Sequence, residues 1–334
     1  GQTAVAVARQ FNAQQAEGMD LRGALGSEFF GISDPTVLTS RSNAGTGSAT
    51  ATVADLGAFT GDDYLLEFDG ANYSLTRFGS NQSLPLSGTG TVADPFVADG
   101  LEISVAGAPA AGDRLLIQSA RNAAESFSVT LTDAQSIALA LPTRSSASLA
   151  NLGDASISGI TVADVSDPGQ LSTSLIEFTT PTTYSINGAG AFPYTDGQPI
   201  VVNGTEVTIS GAPQTGDQFT LEANFGATGD NGNGLLLAEV QAVGLLDGGT
   251  ISINQNYAQL VSGVGSTTRQ LQANLDAQTV VLGNVEGELQ SKSSVNLDEE
   301  AANLIRFQQA YQAAAQVVSV TSTLFDTLIA ATRR

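Results

Sequence analysis

The stretch that most constrains this chain is its last, Asn296 to Arg334, where Leu297, Leu304, Tyr311, Val318 and Phe325 recur every seven residues. Positions three or four further on are also apolar or small: Ala301, Phe307, Ala314, Ala315 and Leu328. A heptad sustained this long is the pattern of a helix that lays one seam against other helices. Asn296 with Glu299 makes a capping-box-like pair, and Asp298, Glu299 and Glu300 sit where a helix N-terminus favours negative charge. Arg333 and Arg334 fall at the opposite, cation-favouring end. No Gly or Pro interrupts the segment, so the spacing predicts one helix of about 38 residues, roughly 55 Å long at 1.5 Å per residue.

Such a helix needs a partner, because most helical stability in proteins comes from burying an apolar face. The bland reading is a core helix of a large α-helical domain. The sharper one is a terminal helix that assembles into a coiled coil or helical tube, since its flanks are Gln, Ala, Ser and Thr.

Composition narrows what else the chain can do. At 334 residues it is long for one hydrophobic core, so two or three domains are expected. A net charge of −21, with Lys292 the only lysine, leaves nothing to form a basic phosphate-reading stripe, which argues against nucleic acid or an anionic membrane surface as partner. The absence of Cys excludes a disulfide framework, and the absence of His removes the commonest general base and zinc ligand. Catalysis and cofactors are not expected. No apolar run approaches the length read as bilayer-spanning, and nothing near Gly1 resembles a signal peptide. Gly1 opens mid-pattern, so the chain is expected to be part of a longer polypeptide.

In chain order, Ala4, Val7, Ala8 and Phe11 recur at helix spacing, with Gly18 as the stop. Gly23 and Gly26 bracket a loop running to Phe29 and Phe30. The period then changes: Ser48 to Val53 alternates, and residues 32–60 read as strands and turns. An internal duplication follows. Residues 100–118 (GLEISVAGAPAAGDRLLIQ) match residues 204–222 (GTEVTISGAPQTGDQFTLE), aligning Gly107-Ala108-Pro109 with Gly211-Ala212-Pro213 and Gly112-Asp113 with Gly216-Asp217. Each copy reads as a strand, a Pro-containing turn and a second strand. Upstream, LLEFDGANYSL (65–75) parallels LIEFTTPTTYSI (175–186), and Asp99-Gly100 and Asn203-Gly204 are tight-turn dipeptides. The second copy is expected to lean on the first. Residues 121–142 mix a short helix with a strand, and Ser145 to Asp154 reads as a polar connector.

After Phe225 the pattern turns helical. Asn233 is placed to cap a short helix over Leu235 to Val243, closed by Gly244. Tyr257, Val261, Val264, Leu271, Leu275, Leu282, Val285 and Leu289 then form a second heptad seam from about Asn254 to Gln290. Gly263, Gly265, Gly283 and Gly287 lie inside it, so packing must offset their cost or the helix breaks there. Ser291 to Val295 reads as a linker to the terminal helix.

The fold class is therefore mixed and multidomain: long coiled-coil-type helices at the C-terminus, a short N-terminal helix and two inserted β-rich modules. The expected divisions are a helical segment at 1–30, β modules at 31–150 and 151–228, a helical core part at 229–291 and the terminal coiled-coil helix at 292–334. The assembly interface is expected on Leu297, Leu304, Phe307, Tyr311, Val318, Phe325 and Leu328. Asp62-Asp63 with Asp69, and Asp230-Asn231-Gly232-Asn233, lack the spacing of a calcium loop and read as turn and cap chemistry. Lys292 among Ser291, Ser293 and Ser294 reads as linker, since a nucleophile needs a pre-organised base. The Gly-Ala-Pro turns lead into no helix and have no nearby cation, unlike phosphate loops.

Residues 295–318, VNLDEEAANLIRFQQAYQAAAQVV, resemble the C-terminal motif of flagellar axial proteins, and among them the hook-associated protein 1 family. Asp298 to Asn303 with Arg306 to Tyr311 is the discriminating run. FNAQQAEGMDLRG (11–23), RNAAESFSVTLTD (121–133) and GDNGNGLLLAEVQ (229–241) are similar to the same family, whose β modules are variable lobes. Members begin with an N-terminal helical region that is missing here, so the resemblance implies a C-terminal portion. It also implies export through the flagellar type III apparatus without a cleaved signal peptide, followed by extracellular assembly at the hook–filament junction. The implied partners are copies of itself in a ring, the hook protein, a second hook-associated protein or the filament side, and an export chaperone for the C-terminal helix. A different axial role, as hook protein or flagellin, and an adhesin-like surface domain are the alternatives.

Overall fold

The computed structural model describes residues 1–293 and 297–332. Residues 1–260 and 261–334 form two compact units. The first opens with helix α1 (Gln2–Ala16), whose buried side chains are Val5, Ala6, Ala8 and Gln15. The inward face is thus rotated from the expected Ala4, Val7, Ala8 and Phe11. Small residues let α1 approach its neighbours closely, while the Phe11 ring sits 5.0 and 5.2 Å from those of Phe29 and Phe30. The helix ends at Glu17, and Gly18 follows where a Cβ would lie 2.1 Å from the Asn233 amide nitrogen and 2.5 Å from the Ala138 carbonyl. Gly18 is there for close approach as much as for stopping the helix.

After the short strand β1 (Phe30–Gly31), the first module contains β2 (Thr36–Thr39), β3 (Ser48–Val53), β4 (Asp63–Phe68), β5 (Tyr73–Arg77), β6 (Gln82–Leu84), β7 (Phe96–Ala98), β8 (Leu101–Ala106) and β9 (Arg114–Gln118). They form two antiparallel sheets, ordered β2-β9-β4-β5-β6 and β3-β8-β7. Alternate side chains of both sheets meet in one core, with Tyr64, Leu66, Leu75, Leu115 and Ile117 facing Val53, Phe96, Leu101 and Ile103. Helix α2 (Ala123–Ser126) and β10 (Ser128–Val129), which pairs with β1, lead to the second module.

That module repeats the first strand for strand. It consists of β11 (Thr143–Ala147), β12 (Ser156–Val162), β13 (Ser174–Thr180), β14 (Thr183–Ile186), β15 (Ala189–Pro193), β16 (Pro199–Val202), β17 (Thr205–Ser210) and β18 (Gln218–Ala223). The sheets are ordered β11-β18-β13-β14-β15 and β12-β17-β16, the same topology shifted by nine labels. In both copies the two strands of the duplicated segment enter opposite sheets, so the Pro-containing turn is a corner of the sandwich and not a hairpin. Asp99-Gly100 and Asn203-Gly204 do form hairpin turns, all four residues having positive φ between 46° and 74°.

Strand β11 pairs with β18, which puts Thr143–Ala147 in the second module, ahead of the 150/151 division drawn from sequence, and its last three residues overlap the start of the expected polar connector. Its own cluster, including Ile176, Phe178, Val207, Ile209, Phe219 and Leu221, gives the second module a separate core. Ala223 and Leu171 of this module pack with Met19, just after α1, and with Ala140.

One buckle closes each sandwich. Asp113 accepts backbone N–H bonds from Ala44, Gly45 and Ala110, and Asp217 accepts them from Leu152, Gly153 and Gln214. Asn43 and Asn151 each clasp the next strand twice, at Arg114 and Gln218. The Ala110 N–H, with those of Ala44 and Gly45, outweighs desolvation and holds the Asp113 carboxyl below its ordinary range. Burial pushes Asp217 up, but its three N–H donors together bring it below the usual value.

Helix α3 (Gly232–Glu239) starts and ends earlier than the sequence suggests. Asn233 lies inside it and caps nothing. Gly244 does not close it either, but begins β19 (Gly244–Leu246), which pairs with β20 (Ile251–Ser252). Helix α4 (Ile253–Ser293) starts in the first unit, where the Asn256 amide donates to the Thr3 hydroxyl at 3.0 Å. It runs through Ser291 and Lys292, so the expected linker is helical up to Ser293. Residues 294–296, including the proposed cap Asn296, and Arg333 and Arg334 lie outside the described residues. Helix α5 (Leu297–Thr332) follows.

Candidate assembly interface

Helix α5 has 36 residues, about 54 Å at 1.5 Å per residue, and buries none of its side chains. The seven seam residues Leu297, Leu304, Phe307, Tyr311, Val318, Phe325 and Leu328 are between 65% and 80% exposed. Seven-residue spacing drifts by only about 20° per step on a straight helix, so these side chains share one face. Asp298, Glu299 and Glu300 occupy its first turn, the end that favours negative charge.

The seam is wider than heptad counting suggests. Ile305, Val317, Val320, Leu324 and Ile329 are also exposed, and from Val317 onward apolar residues flank the seam on both sides. The hydroxyls between them are turned inward: Thr321, Thr323, Thr327 and Thr332 donate to the carbonyls of Val317, Ser319, Thr323 and Leu328, four residues back. This overturns one expectation. An 18-residue window in this helical region reaches a mean hydropathy of 1.3, long and apolar enough to cross a membrane by length and composition alone. Scanning for unbroken apolar runs misses it because polar residues interrupt the run, among them threonines whose hydroxyls bond to the helix itself.

Helix α4 presents the same kind of surface. Val261, Val264, Leu271, Leu275, Leu282 and Val285 are more than half exposed. Neither alternative for its glycines is met, since the helix continues unbroken and a Cβ on Gly263, Gly265, Gly283 or Gly287 would have no atom within 4 Å. Within the described residues these glycines therefore weaken the helix by about 1 kcal/mol each relative to Ala with no compensating contact.

A second constellation was not legible as such from sequence. The segments 11–23, 121–133 and 229–241 converge in the first unit. The fully buried Asn233 amide donates to the carbonyls of Ala138 (2.6 Å) and Gln14 (3.1 Å) and accepts from the Gln14 side chain (2.8 Å). Asn12 accepts from the backbone N–H groups of Phe29 and Phe30 and donates to the Phe30 carbonyl, setting two rings of the group Phe11, Phe29, Phe30 and Phe127. Arg22 pairs with Asp133, and the Gln15 amide donates to the Ser136 carbonyl. These contacts tie three distant stretches into one base.

The carboxylates weighed for calcium have other partners. Asp62 and Asp63 pair with Arg77 and Arg121, Asp69 accepts from Ala71 and Asn72, and Asp230 accepts from Leu141, Asn224 and Gly232. Burial, with Asp99 nearby, pushes the Tyr64 phenol up to about 12.

Comparison with known proteins adds a direction to this geometry. The family described as flagellar hook-associated protein 1, D2-like domain, matches residues 38–119, most of the first sandwich. The family described as flagellar basal body rod FlgEFG protein C-terminal matches residues 287–331, the end of α4 and most of α5. Flagellar hook-associated protein 1 of Escherichia coli is 30% identical over 329 residues, 98% of this chain and 45% of that protein. Its counterpart in Salmonella typhimurium is 29% identical over 330 residues, 98% of this chain and 46% of that protein. The chain thus spans a little under half the length of these relatives. The solved flagellar hook junction protein FlgK from Burkholderia pseudomallei is similar with a TM-score of 0.72 and 26% identity, over 88% of this chain and 59% of that one.

Proposed function

The chain is a relative of flagellar hook-associated protein 1 over nearly its whole length, and from that premise we propose that it is a structural subunit of the bacterial flagellum at the junction of hook and filament. The observation that carries this reading is the uncovered apolar face of α5, with α4 beside it in sequence and equally bare. A monomer stable in water does not leave a face of this size exposed without a partner for it. The heptad spacing selects other helices as the cover, and the glycines of α4 allow a neighbouring backbone to come close. Copies of this chain in a ring, the hook protein and a second hook-associated protein or the filament side supply those helices. An export chaperone covers the same seam beforehand, and the subunit reaches the cell exterior through the flagellar export apparatus. The two sandwiches and their base, residues 1–260, are the non-polymerising part.

Charge supports this division. There is no Lys or Arg between Arg144 and Arg269, so Arg144 on β11 is the one cation of a second sandwich otherwise rich in carboxylates, which therefore repels its own copies. Copies therefore meet through their helices. The experiment is incorporation: Leu304→Asp with Tyr311→Asp should leave residues 1–260 folded but abolish entry into the hook–filament junction and motility. Normal incorporation of the double variant counts against the reading. Long fibres grown from purified subunits, in place of a limited ring on isolated hooks, would favour a hook-protein or flagellin role. Flotation of the chain with lipid vesicles would assign the apolar window of α5 to a bilayer.

A further inference from the structure

Asn-Gly occurs four times in the chain, at Asn187-Gly188, Asn203-Gly204, Asn231-Gly232 and Asn233-Gly234. The dipeptide carries its own chemistry: with no side chain on the glycine, its backbone nitrogen can reach the asparagine Cγ and close a five-membered ring. Three of the four are held against this. The Asn203 amide nitrogen donates to the Ser174 hydroxyl at 2.8 Å, and a Cβ on the buried Gly204 would lie 2.4 Å from the Asp164 carbonyl oxygen. The Gly232 N–H donates to Asp230 Oδ1 at 2.8 Å while the Asn231 carbonyl accepts from the Leu235 N–H at 3.0 Å, so that peptide plane is fixed at both ends. The Gly234 N–H donates to the Leu139 carbonyl, and Asn233 is fully buried.

Asn187-Gly188 is different. It is the two-residue turn between β14 and β15, where Ile186 pairs with Ala189, and both residues are exposed. Positive φ at both, 50° and 75°, marks a type I′ hairpin turn. A Cβ on Gly188 would meet nothing within 4 Å, and among the described residues no hydrogen bond holds the Gly188 N–H. The one peptide plane between the two residues is therefore free to turn over. Turning it takes ψ of the first turn residue from about +30° to about −120° and gives type II′, the other two-residue hairpin turn, with φ of Asn187 still positive and the strands still paired. It also swings the Gly188 nitrogen toward Asn187 Cγ. Asn187 Oδ1 accepts the Leu175 N–H at 2.8 Å, so a donor already faces the oxygen on which negative charge builds when Cγ is attacked.

We propose that Asn187-Gly188 is a self-modification site, which deamidates through a succinimide while the chain is folded. The Gly188 N–H gives its proton to hydroxide, and the nitrogen bonds to Asn187 Cγ, pushing the carbonyl pair onto Oδ1. Return of that pair breaks the Cγ–Nδ2 bond, and Nδ2 takes a proton from water and leaves as ammonia. Water then opens the ring at either carbonyl, leaving an aspartyl or isoaspartyl residue at position 187. In total, one amide and one water become one carboxylate and one ammonium ion. The new charge stands at the start of β15, an edge strand that is exposed throughout and has no charged residue of its own. Charge on an edge opposes pairing with another chain, so each conversion discourages β15 from joining the edge of a second copy.

Peptide mass mapping of the whole 334-residue chain, incubated at mildly alkaline pH both folded and in urea, tests this directly. In urea the four sites should convert at similar rates. In the folded chain Asn187 should convert at least about tenfold faster than Asn203, Asn231 and Asn233, because a reacting nitrogen held out of place loses that much or more. Its rate should rise with pH, and both aspartyl and isoaspartyl products should form. Asn187→Gln, whose longer side chain cannot close the five-membered ring, should abolish the ammonia released by the folded chain. The proposal is overturned by a smaller lead of Asn187 over the other three sites, by an aspartyl product alone, which is direct hydrolysis without the ring, or by undiminished ammonia release from Asn187→Gln. The comparison of folded and unfolded wild-type chain decides the matter even if the variant fails to fold.

Discussion

Asn233 joins a helix, a loop and α1 through one amide, and all its partners are protein groups. Replacing it with Ala leaves the Ala138 carbonyl and the Gln14 side chain without their partner in a place water cannot reach. Asn233→Ala should therefore destabilise residues 1–260 by roughly 1–3 kcal/mol in urea unfolding, and a change below about 0.5 kcal/mol would contradict its role. Asp113 and Asp217 act through charge. Their folded carboxyls titrate below the unfolded value of about 3.9, so the stability they contribute is full above that pH and is lost as pH falls through the folded value. The unfolding midpoint should drop steeply below about pH 4. The Asp113→Asn, Asp217→Asn double variant, already weaker at pH 7, should show a shallower drop, whereas parallel curves would remove the buckles from the account. Both buckles were visible in the sequence as the repeated Gly-Asp, but the Asn43 and Asn151 clasps lie 71 and 67 residues from their partners Arg114 and Gln218 and left no local signal.

At the scale of elements, periodicity and turn chemistry were readable because they are local. The seams of α4 and α5, the alternation of Ser48–Val53 and the turns at Asp99-Gly100 and Asn203-Gly204 follow from spacing and φ preference within a few residues. What was not readable depended on contacts between distant segments. The buried face of α1 turned toward Val5 and Ala6 because its neighbours come close, and β11 joined the second sandwich through β18 across more than seventy residues. Asn233 looked like a cap because Asn before an apolar run usually is one, and its tertiary partners overrode that tendency. The apolar breadth of α5 was hidden by threonines whose hydroxyls bond within the helix. The glycines of α4 give a prediction at this scale. Gly283→Ala with Gly287→Ala should raise the helix content of the isolated chain by circular dichroism and at the same time weaken its assembly. Raised helicity with undiminished assembly would show that no backbone approaches those sites.

For the whole molecule, a strongly acidic chain of net charge −21 carries bare apolar helices at one end of its sequence. Screening should relieve the repulsion between copies without weakening apolar contact, so association measured by sedimentation should strengthen as salt is raised from about 0.01 M to 0.15 M, where the Debye length shrinks from about 30 to 8 Å. Association that weakens with salt would point to ion pairs as the driving contact. The central claim is that α5 is completed by helices from outside this chain, and amide hydrogen exchange tests it most directly. In a monomer verified by sedimentation, residues 297–332 should exchange within the fast phase while the strands of both sandwiches stay protected, and the same residues should become protected on assembly with hooks. Strong protection of 297–332 already in the verified monomer would contradict the account.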